Sequence, residues 1–229
     1  MIERVMIAGG GTGGHLFPGV AVVEELRRRN PTVEVVFVGT ARGVENRVLS
    51  KLGERLEHVE VWPLKGRTWF GRIRALFRLP LACLQAFRLL RRYRPEVVIG
   101  VGGYAAGPVV LMAAFLRIPT ALLEQNATIG LTNRLLGNVV KRAYIAFPET
   151  TAVFGEHRAR VVGNPVRRGF VEAARLAHAD PDRFQSECTE LLVLGGSQGA
   201  QVLNRVVPEA LGILKDRGIL GNFKVVHQS

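Results

Sequence analysis

Val5-Met6-Ile7-Ala8-Gly9-Gly10-Gly11-Thr12-Gly13-Gly14-His15 is the stretch whose reading decides the fold of this chain. An apolar run of β type leads directly into five glycines within six positions, and after His15 the apolar residues take helical spacing at Val20, Val23 and Leu26. The order is strand, glycine loop, helix. Glycines permit positive φ and close approach of another group, while the free N–H groups that open a helix favour an anion. A phosphate or a pyrophosphate is the guest such a loop predicts.

The loop by itself leaves several ligands open. Gly9, Gly11 and Gly14 satisfy G-x-G-x-x-G, the weak fingerprint of a dinucleotide site. That site needs an acidic residue at the end of the second strand to hold a ribose hydroxyl. Here the second apolar run, Val33 to Val38, passes into Gly39-Thr40-Ala41, and Glu34 stands at its beginning. A Walker loop needs lysine after its last glycine, where this chain has His15. What remains is a glycine loop presenting an imidazole, either as a titratable group beside an anion or as a histidine that caps a helix after a tight turn.

The 229 residues suffice for one large α/β domain, or for one domain and part of another. Hydrophobic residues make up 48% of the chain, which excludes disorder, and no short-period repeat or low-complexity segment is present. Lys and Arg number 31 against 19 acidic residues, a formal charge of +12 that implies an anionic partner. Cys83 and Cys188 are far apart and lack C-x-x-C spacing, so neither a disulfide framework nor a zinc site is expected, and a reducing compartment fits. The first residues enter a strand without the pattern of a signal peptide. The uncharged run Val97 to Leu116 contains a glycine loop and Pro108 and reads as strand, loop and helix, so any membrane contact is expected to be peripheral.

Further strand candidates are Leu56 to Val61, Val97 to Val101, Thr120 to Leu123, Ala143 to Ala146 and Arg160 to Val162, separated by helical stretches such as Gly43 to Leu52. Alternating strands and helices predict an α/β fold: a Rossmann-like, doubly wound, mostly parallel sheet. Ligands of such sheets bind beyond the carboxyl ends of the strands. There the chain places Gly102-Gly103-Tyr104, then Glu124-Gln125-Asn126 with Gly130, Thr132 and Asn133, then Gly163-Asn164-Pro165-Val166-Arg167. One crevice could gather two phosphate-type loops, a carboxylate, amides and an arginine. For Gly102 and Gly103 the alternative is simple helix–strand packing, and for Asn126 a helix cap.

Between Glu60 and Glu96 there are nine cationic residues and no acidic one. Trp69, Phe70, Arg72, Ile73, Phe77 and Arg78 exemplify the mixture, and Pro80 is expected to start or kink a helix. Basic residues interleaved with bulky apolar ones suit an interfacial contact with anionic lipid. Packing of the apolar face on the sheet is the plain alternative, and no nucleic-acid-binding signature is present. From Glu172 to about Glu190 the sequence turns polar and reads as an interdomain linker. Leu191 to Leu194 then opens a second strand, glycine loop and helix, with Gly195-Gly196-Ser197-Gln198-Gly199-Ala200 as its loop and Phe223 to His227 as a further strand.

Taken together, Gly10-Gly11-Thr12-Gly13-Gly14-His15 with Pro18, Gly102-Gly103-Tyr104, Glu124-Gln125-Asn126 with Gly130-Leu131-Thr132-Asn133, Gly163-Asn164-Pro165-Val166-Arg167, and Gly195-Gly196-Ser197-Gln198-Gly199-Ala200 resemble the MurG family in order over essentially the whole chain. The resemblance implies a GT-B arrangement of two Rossmann-like domains. It implies transfer of N-acetylglucosamine from UDP-N-acetylglucosamine, with inversion, to the muramoyl 4-hydroxyl of lipid I, the undecaprenyl-pyrophosphoryl-MurNAc-pentapeptide. This would take place at the cytoplasmic face of the cell membrane, with anionic lipid as a partner and without nucleic acid, cofactor or metal. The domains would be residues 1–168, facing acceptor and membrane, a linker at 169–189, and the beginning of a UDP-sugar domain at 190–229.

Inversion requires one base for the acceptor proton and a means of holding the departing diphosphate. His15 is the expected base or polar group at the reacting hydroxyl, with Glu124 as the alternative. By the same resemblance Thr12, Gly13, Gly14, Asn126, Arg167, Ser197 and Gln198 would contact the sugar nucleotide. The loops at Gly13-Gly14 and at Gly102, Gly103 and Tyr104 could instead hold the acceptor's pyrophosphate. The family commonly carries histidine before Glu-Gln-Asn, where this chain has Leu123. Because family members continue through the rest of the second domain, residues 1–229 alone are expected to transfer little or no sugar. Rival readings are another GT-B enzyme or a sugar-nucleotide epimerase, a nicotinamide-dependent oxidoreductase, and a membrane-binding scaffold without catalysis.

Overall fold

In the computed structural model, which describes residues 2–41, 43–61, 69–179, 189–195, 200–219, 221 and 223–228, the opening run becomes strand β1 (Arg4–Gly9) and the helical spacing after it becomes α1 (Gly13–Arg29). The alternation continues through β2 (Glu34–Gly39), α2 (Val44–Lys51), β3 (Leu56–His58), α3 (Trp69–Tyr93), β4 (Val97–Gly102), α4 (Ala106–Phe115), β5 (Thr120–Glu124), α5 (Leu131–Leu136) and β6 (Arg142–Ile145). A 3-10 turn at Pro148–Thr150, α6 (Thr151–Phe154) and β7 (Ala159–Val161) complete this part. Its seven strands form one parallel sheet in the order β3-β2-β1-β4-β5-β6-β7. The order reverses between β1 and β4, the point where a doubly wound sheet opens a crevice at its carboxyl edge.

Two-residue periodicity divides each central strand between two cores. Val5 and Ile7 of β1 pack with Leu16, Val20 and Val23 of α1 and Leu49 of α2. Met6 and Ala8 face the opposite side, with Ala86 and Leu90 of α3 and Val109, Val110 and Ala113 of α4. Strand β5 is buried along all five residues, as expected of a strand covered on both faces. Each fully buried Leu or Ile contributes about 1.5–3 kcal/mol, so this double core is the main source of stability.

Two boundaries differ from the expectation. The third strand ends at His58, because its one neighbour, β2, ends at Gly39, which pairs with His58. Helix α3 runs through Pro80, which lies in its interior and does not start it. At the far end of α3 the Tyr93 hydroxyl donates to the Glu57 carboxylate of β3, and the Arg55 and Arg92 guanidinium groups lie 5.7 and 5.3 Å from the Tyr93 ring centre. That hydrogen bond, aided by burial, raises the tyrosine above its ordinary ionisation range.

The chain divides into two compact units, Met1–Arg168 and Gly169–Ser229. Helix α7 (Arg168–Ala179) occupies the first half of the stretch expected to be a linker. Its alanines, Ala173, Ala174, Ala177 and Ala179, favour helix, and the polarity that suggested a linker is that of a helix with no buried residue. The rest of that stretch, 180–188, lies outside the described residues. In the second unit β8 (Thr189–Val193) pairs in parallel with β9 (Phe223–His227), joined through α8 (Gln201–Asp216). Among the described residues no helix is long and apolar enough to cross a membrane.

Candidate functional site

The two glycine loops of the first unit meet at the switch between β1 and β4. Their register slips by one residue, so that Ala8 pairs with Gly100 but Gly9 with Gly102, and the Gly10 N–H donates to the Gly102 carbonyl at 3.3 Å. The contact depends on the absence of side chains. A Cβ on Gly103, whose φ is +80°, would stand 2.1 Å from the Gly10 carbonyl oxygen, and one on Gly102 would stand 2.6 Å from Nδ1 of His15. The imidazole therefore lies against the second loop, and its Nδ1 is buried without a hydrogen-bond partner. Thr12 is the N-cap of α1, and its carbonyl receives the N–H groups of His15 and Leu16. Its side chain makes no capping hydrogen bond, which leaves the hydroxyl available to a ligand. Gly13 and Gly14 follow in the first turn, where helix geometry supplies no carbonyl for their N–H groups.

The loop's earlier N–H groups are used internally. The Gly11 N–H donates to Oε2 of Glu45 at 2.8 Å, and Oε1 of the same carboxylate receives the Thr40 N–H at 2.9 Å and the Thr40 hydroxyl at 3.0 Å. Glu45 is only 1% exposed. It comes from the first turn of α2, where an acidic residue reads from sequence as an ordinary partner of the helix dipole. The signal that could have marked it is the pair of glycines around it, Gly39 and Gly43. The carboxylate beside the end of β2 faces inward onto the glycine loop, and a dinucleotide would have to compete for the Gly11 N–H.

Glu124 ends β5 and is 2% exposed. Its Oε1 accepts the Asn126 N–H and the Asn126 side-chain amide, both at 3.1 Å. Its Oε2 accepts the Gly130 N–H at 3.3 Å and the Asn133 side-chain amide at 3.0 Å. Asn133 also donates to the Leu123 carbonyl, and Gln125 reaches the Val101 carbonyl of β4 at 3.3 Å. Both carboxylate oxygens are thus committed to ordering the loop that carries Asn126, whose own residue stays exposed. Leu123 is 5% exposed and belongs to the core beside α1.

The segment after β7 brings Arg167 to α1. Its guanidinium lies 4.5 Å from the ring centre of Phe17, one turn beyond Gly14, and the next residue, Arg168, donates its N–H to the Glu24 carboxylate at 3.0 Å. Tyr104 lines an apolar cavity of about 230 Å³ between α3, α4 and α5, with Arg78, Leu79, Leu111, Leu135 and Val139. Leu79, Leu81 and Leu84 of α3 and Phe115 of α4 are exposed, Phe115 at 76%. Trp69, Phe70, Arg72, Ile73 and Phe77 belong to α3, but their side chains, like Ser197 and Gln198, lie outside the described residues. Among the described residues no cluster of His, Cys, Asp or Glu could hold a metal ion.

Residues 5–145 match the glycosyltransferase family 28 N-terminal domain, and residues 190–229 match the glycosyltransferase family 28 C-terminal domain. A curated relative in Anaeromyxobacter dehalogenans, a UDP-N-acetylglucosamine–N-acetylmuramyl-(pentapeptide) pyrophosphoryl-undecaprenol N-acetylglucosamine transferase, is 51% identical over 229 residues, which is 99% of this chain and 57% of the relative. The protein of the same name in Myxococcus xanthus is 48% identical over 226 residues, again 99% of this chain and 57% of the relative. This chain therefore spans little more than half the length of these relatives. The solved structure of Acinetobacter baumannii MurG superposes with a TM-score of 0.69 at 27% identity, covering 99% of this chain and 66% of that one. A UDP-GlcNAc 2-epimerase from Neisseria meningitidis, at 13% identity and a TM-score of 0.59, shares the fold.

Proposed function

We propose a function from one premise: the chain belongs to glycosyltransferase family 28 and, within it, to the MurG family. It forms the acceptor-facing part of an inverting transferase that moves N-acetylglucosamine from UDP-N-acetylglucosamine to the muramoyl 4-hydroxyl of lipid I, yielding lipid II for peptidoglycan. The observation that carries this reading is the joint placement of the His15 loop, the Gly102-Gly103 loop and the Glu124-ordered Asn126 loop at one carboxyl edge, in a chain that matches both family 28 domains in order.

The mechanism follows from which groups are still available. Glu124 has both oxygens occupied by N–H donors, whereas the buried Nδ1 of His15 faces the Gly102 loop and no hydrogen bond among the described residues holds the ring, which leaves Nε2 for the acceptor. His15 is therefore assigned to take the proton of the acceptor hydroxyl as that oxygen attacks C1 of the sugar, and UDP leaves from the opposite face. Glu124 orients Asn126 toward the substrates. The N–H groups of Gly13 and Gly14, with the Thr12 hydroxyl, receive diphosphate oxygens, and Arg167 supplies positive charge beside the same helix start. Ser197 and Gln198 would bind the sugar nucleotide from the second unit.

The lipid part of the acceptor would lie against α3 and α4, where the exposed Leu79 and Leu111 line the apolar cavity with Tyr104. The stretch between Glu60 and Glu96 carries nine cationic residues and no acidic one, a composition suited to a leaflet rich in anionic lipid, and the protein would sit peripherally on the cytoplasmic side. Transfer of radiolabelled N-acetylglucosamine to a lipid I analogue, by a protein carrying the whole second domain, tests the reading. A folded protein of that kind giving no lipid II would end it.

A further inference from the structure

We propose that Glu45 is a positioning residue, whose buried carboxylate sets the conformation in which the first glycine loop offers Gly13, Gly14 and His15 to a pyrophosphate. The inference rests on the anion-binding role given above to that loop.

Three observations converge on it. First, the carboxylate joins two backbone segments that are distant in sequence, taking the Gly11 N–H on one oxygen and the Thr40 N–H on the other. Second, the chain makes room for it with three glycines. A Cβ on Gly10 would lie 2.5 Å from Cδ of Glu45, one on Gly39 2.8 Å from Cγ, and one on Gly43 1.9 Å from Oε2. Third, among the described residues no packing contact holds Gly11. Its φ is +91°, and a Cβ there would meet no atom within 4 Å, so packing does not fix the position that the hydrogen bond fixes.

The need for a carboxylate follows from the donors. Two backbone N–H groups converge on one side chain, and only a group with an acceptor at each corner satisfies both. Glutamine would turn an NH₂ toward one of them, leaving a buried N–H unpaired. If that N–H is Gly11's, the loop turns and the next N–H groups lose their common direction. Asn46 keeps the far side in place, its side-chain amide donating to the Thr40 carbonyl at 2.9 Å.

The test uses the 229-residue chain and inorganic pyrophosphate, followed by ¹⁵N chemical shifts and amide exchange. Wild-type chain should show shifts centred on Thr12, Gly13 and Gly14, with the Gly11 amide protected. Glu45→Gln should weaken pyrophosphate binding by about tenfold, the factor expected from one unpaired buried N–H, and should lose protection at Gly11. Glu45→Asp, too short to reach both segments, should do the same. Leu49→Ala, fully buried on the same helix, supplies a general loss of stability, and should leave the affinity within twofold.

Unchanged affinity in Glu45→Gln would overturn the proposal, as would tighter binding, which would mean that the carboxylate acts by repelling the anion. Equal weakening by Leu49→Ala would reduce Glu45 to a structural role and also overturn it. If pyrophosphate leaves Thr12 to Gly14 unshifted in the wild type, the anion-site reading fails instead. The Gly11 exchange rate in Glu45→Gln then still decides whether Glu45 holds the loop.

Discussion

Replacing Glu124 by glutamine separates two roles that the residue could have at the end of β5. The carboxylate receives four N–H donors, two on each oxygen. An amide can keep only one oxygen, and the lower-cost orientation points that oxygen at Gly130 and Asn133, because Asn133 is 2% exposed while Asn126 is exposed and can turn to water. The two retained bonds then change from charged to neutral acceptors, a loss of about 1 kcal/mol each, and the two at Asn126 exchange for water at a further few tenths. The expected loss is about 2–3 kcal/mol. Urea unfolding followed by the amide resonances of β4, β5 and β6 reports on the first unit. With a urea dependence of about 2 kcal/mol per M, the midpoint should fall by about 1 M. Amide exchange at Asn126 and Gly130 should accelerate. A midpoint equal to that of the wild type, with these amides still protected, would refute the argument and return Glu124 to the role of a free base.

Other perturbations test other parts of the site. His15→Ala in a protein with the whole second domain should lower N-acetylglucosamine transfer by roughly 10²- to 10⁴-fold at wild-type stability; transfer within threefold of wild type would remove His15 as the base. Gly103→Ala should unfold the crevice edge, because its Cβ would stand 2.1 Å from the Gly10 carbonyl at a positive φ, and a thermal midpoint equal to that of wild type would contradict the loop contact. In a spectrophotometric titration one of the three tyrosines should ionise above the usual range and vanish in Tyr93→Phe. Its folded-state value is raised, so the stability that the Glu57 bond contributes should be present below pH 10 and fade as pH rises beyond it; no such loss relative to Tyr93→Phe would count against the bond.

The sheet was legible because its signals are local. Apolar runs such as Val33 to Val38 and glycine loops after them follow from strand and turn chemistry within ten residues. Strand ends were less so, since β3 stops where its partner stops, a fact about pairing. For a related reason composition does not say whether the polar stretch after Glu172 is extended or helical, and its first part forms α7. Within the site, the loops at strand ends put His15, Glu124 and Asn126 at one carboxyl edge of the sheet. The direction of their hydrogen bonds did not follow, and Glu45 went unseen because its partners, Gly11 and Thr40, meet it only after β1 and β2 have paired.

The close fit around Glu45 also bears on how such sequences can change. Gly10, Gly39 and Gly43 are small because one side chain fills the volume they leave, so none of the four can drift alone. A methyl group at position 43 becomes acceptable only after position 45 has shortened, and a shortened position 45 leaves a void that a methyl group at position 43 would fill. In a library randomised at these sites, survivors should change in linked sets, with alanine at 43 accompanied by a smaller residue at 45. The glycine-rich character of this corner would then be inherited as a single trait.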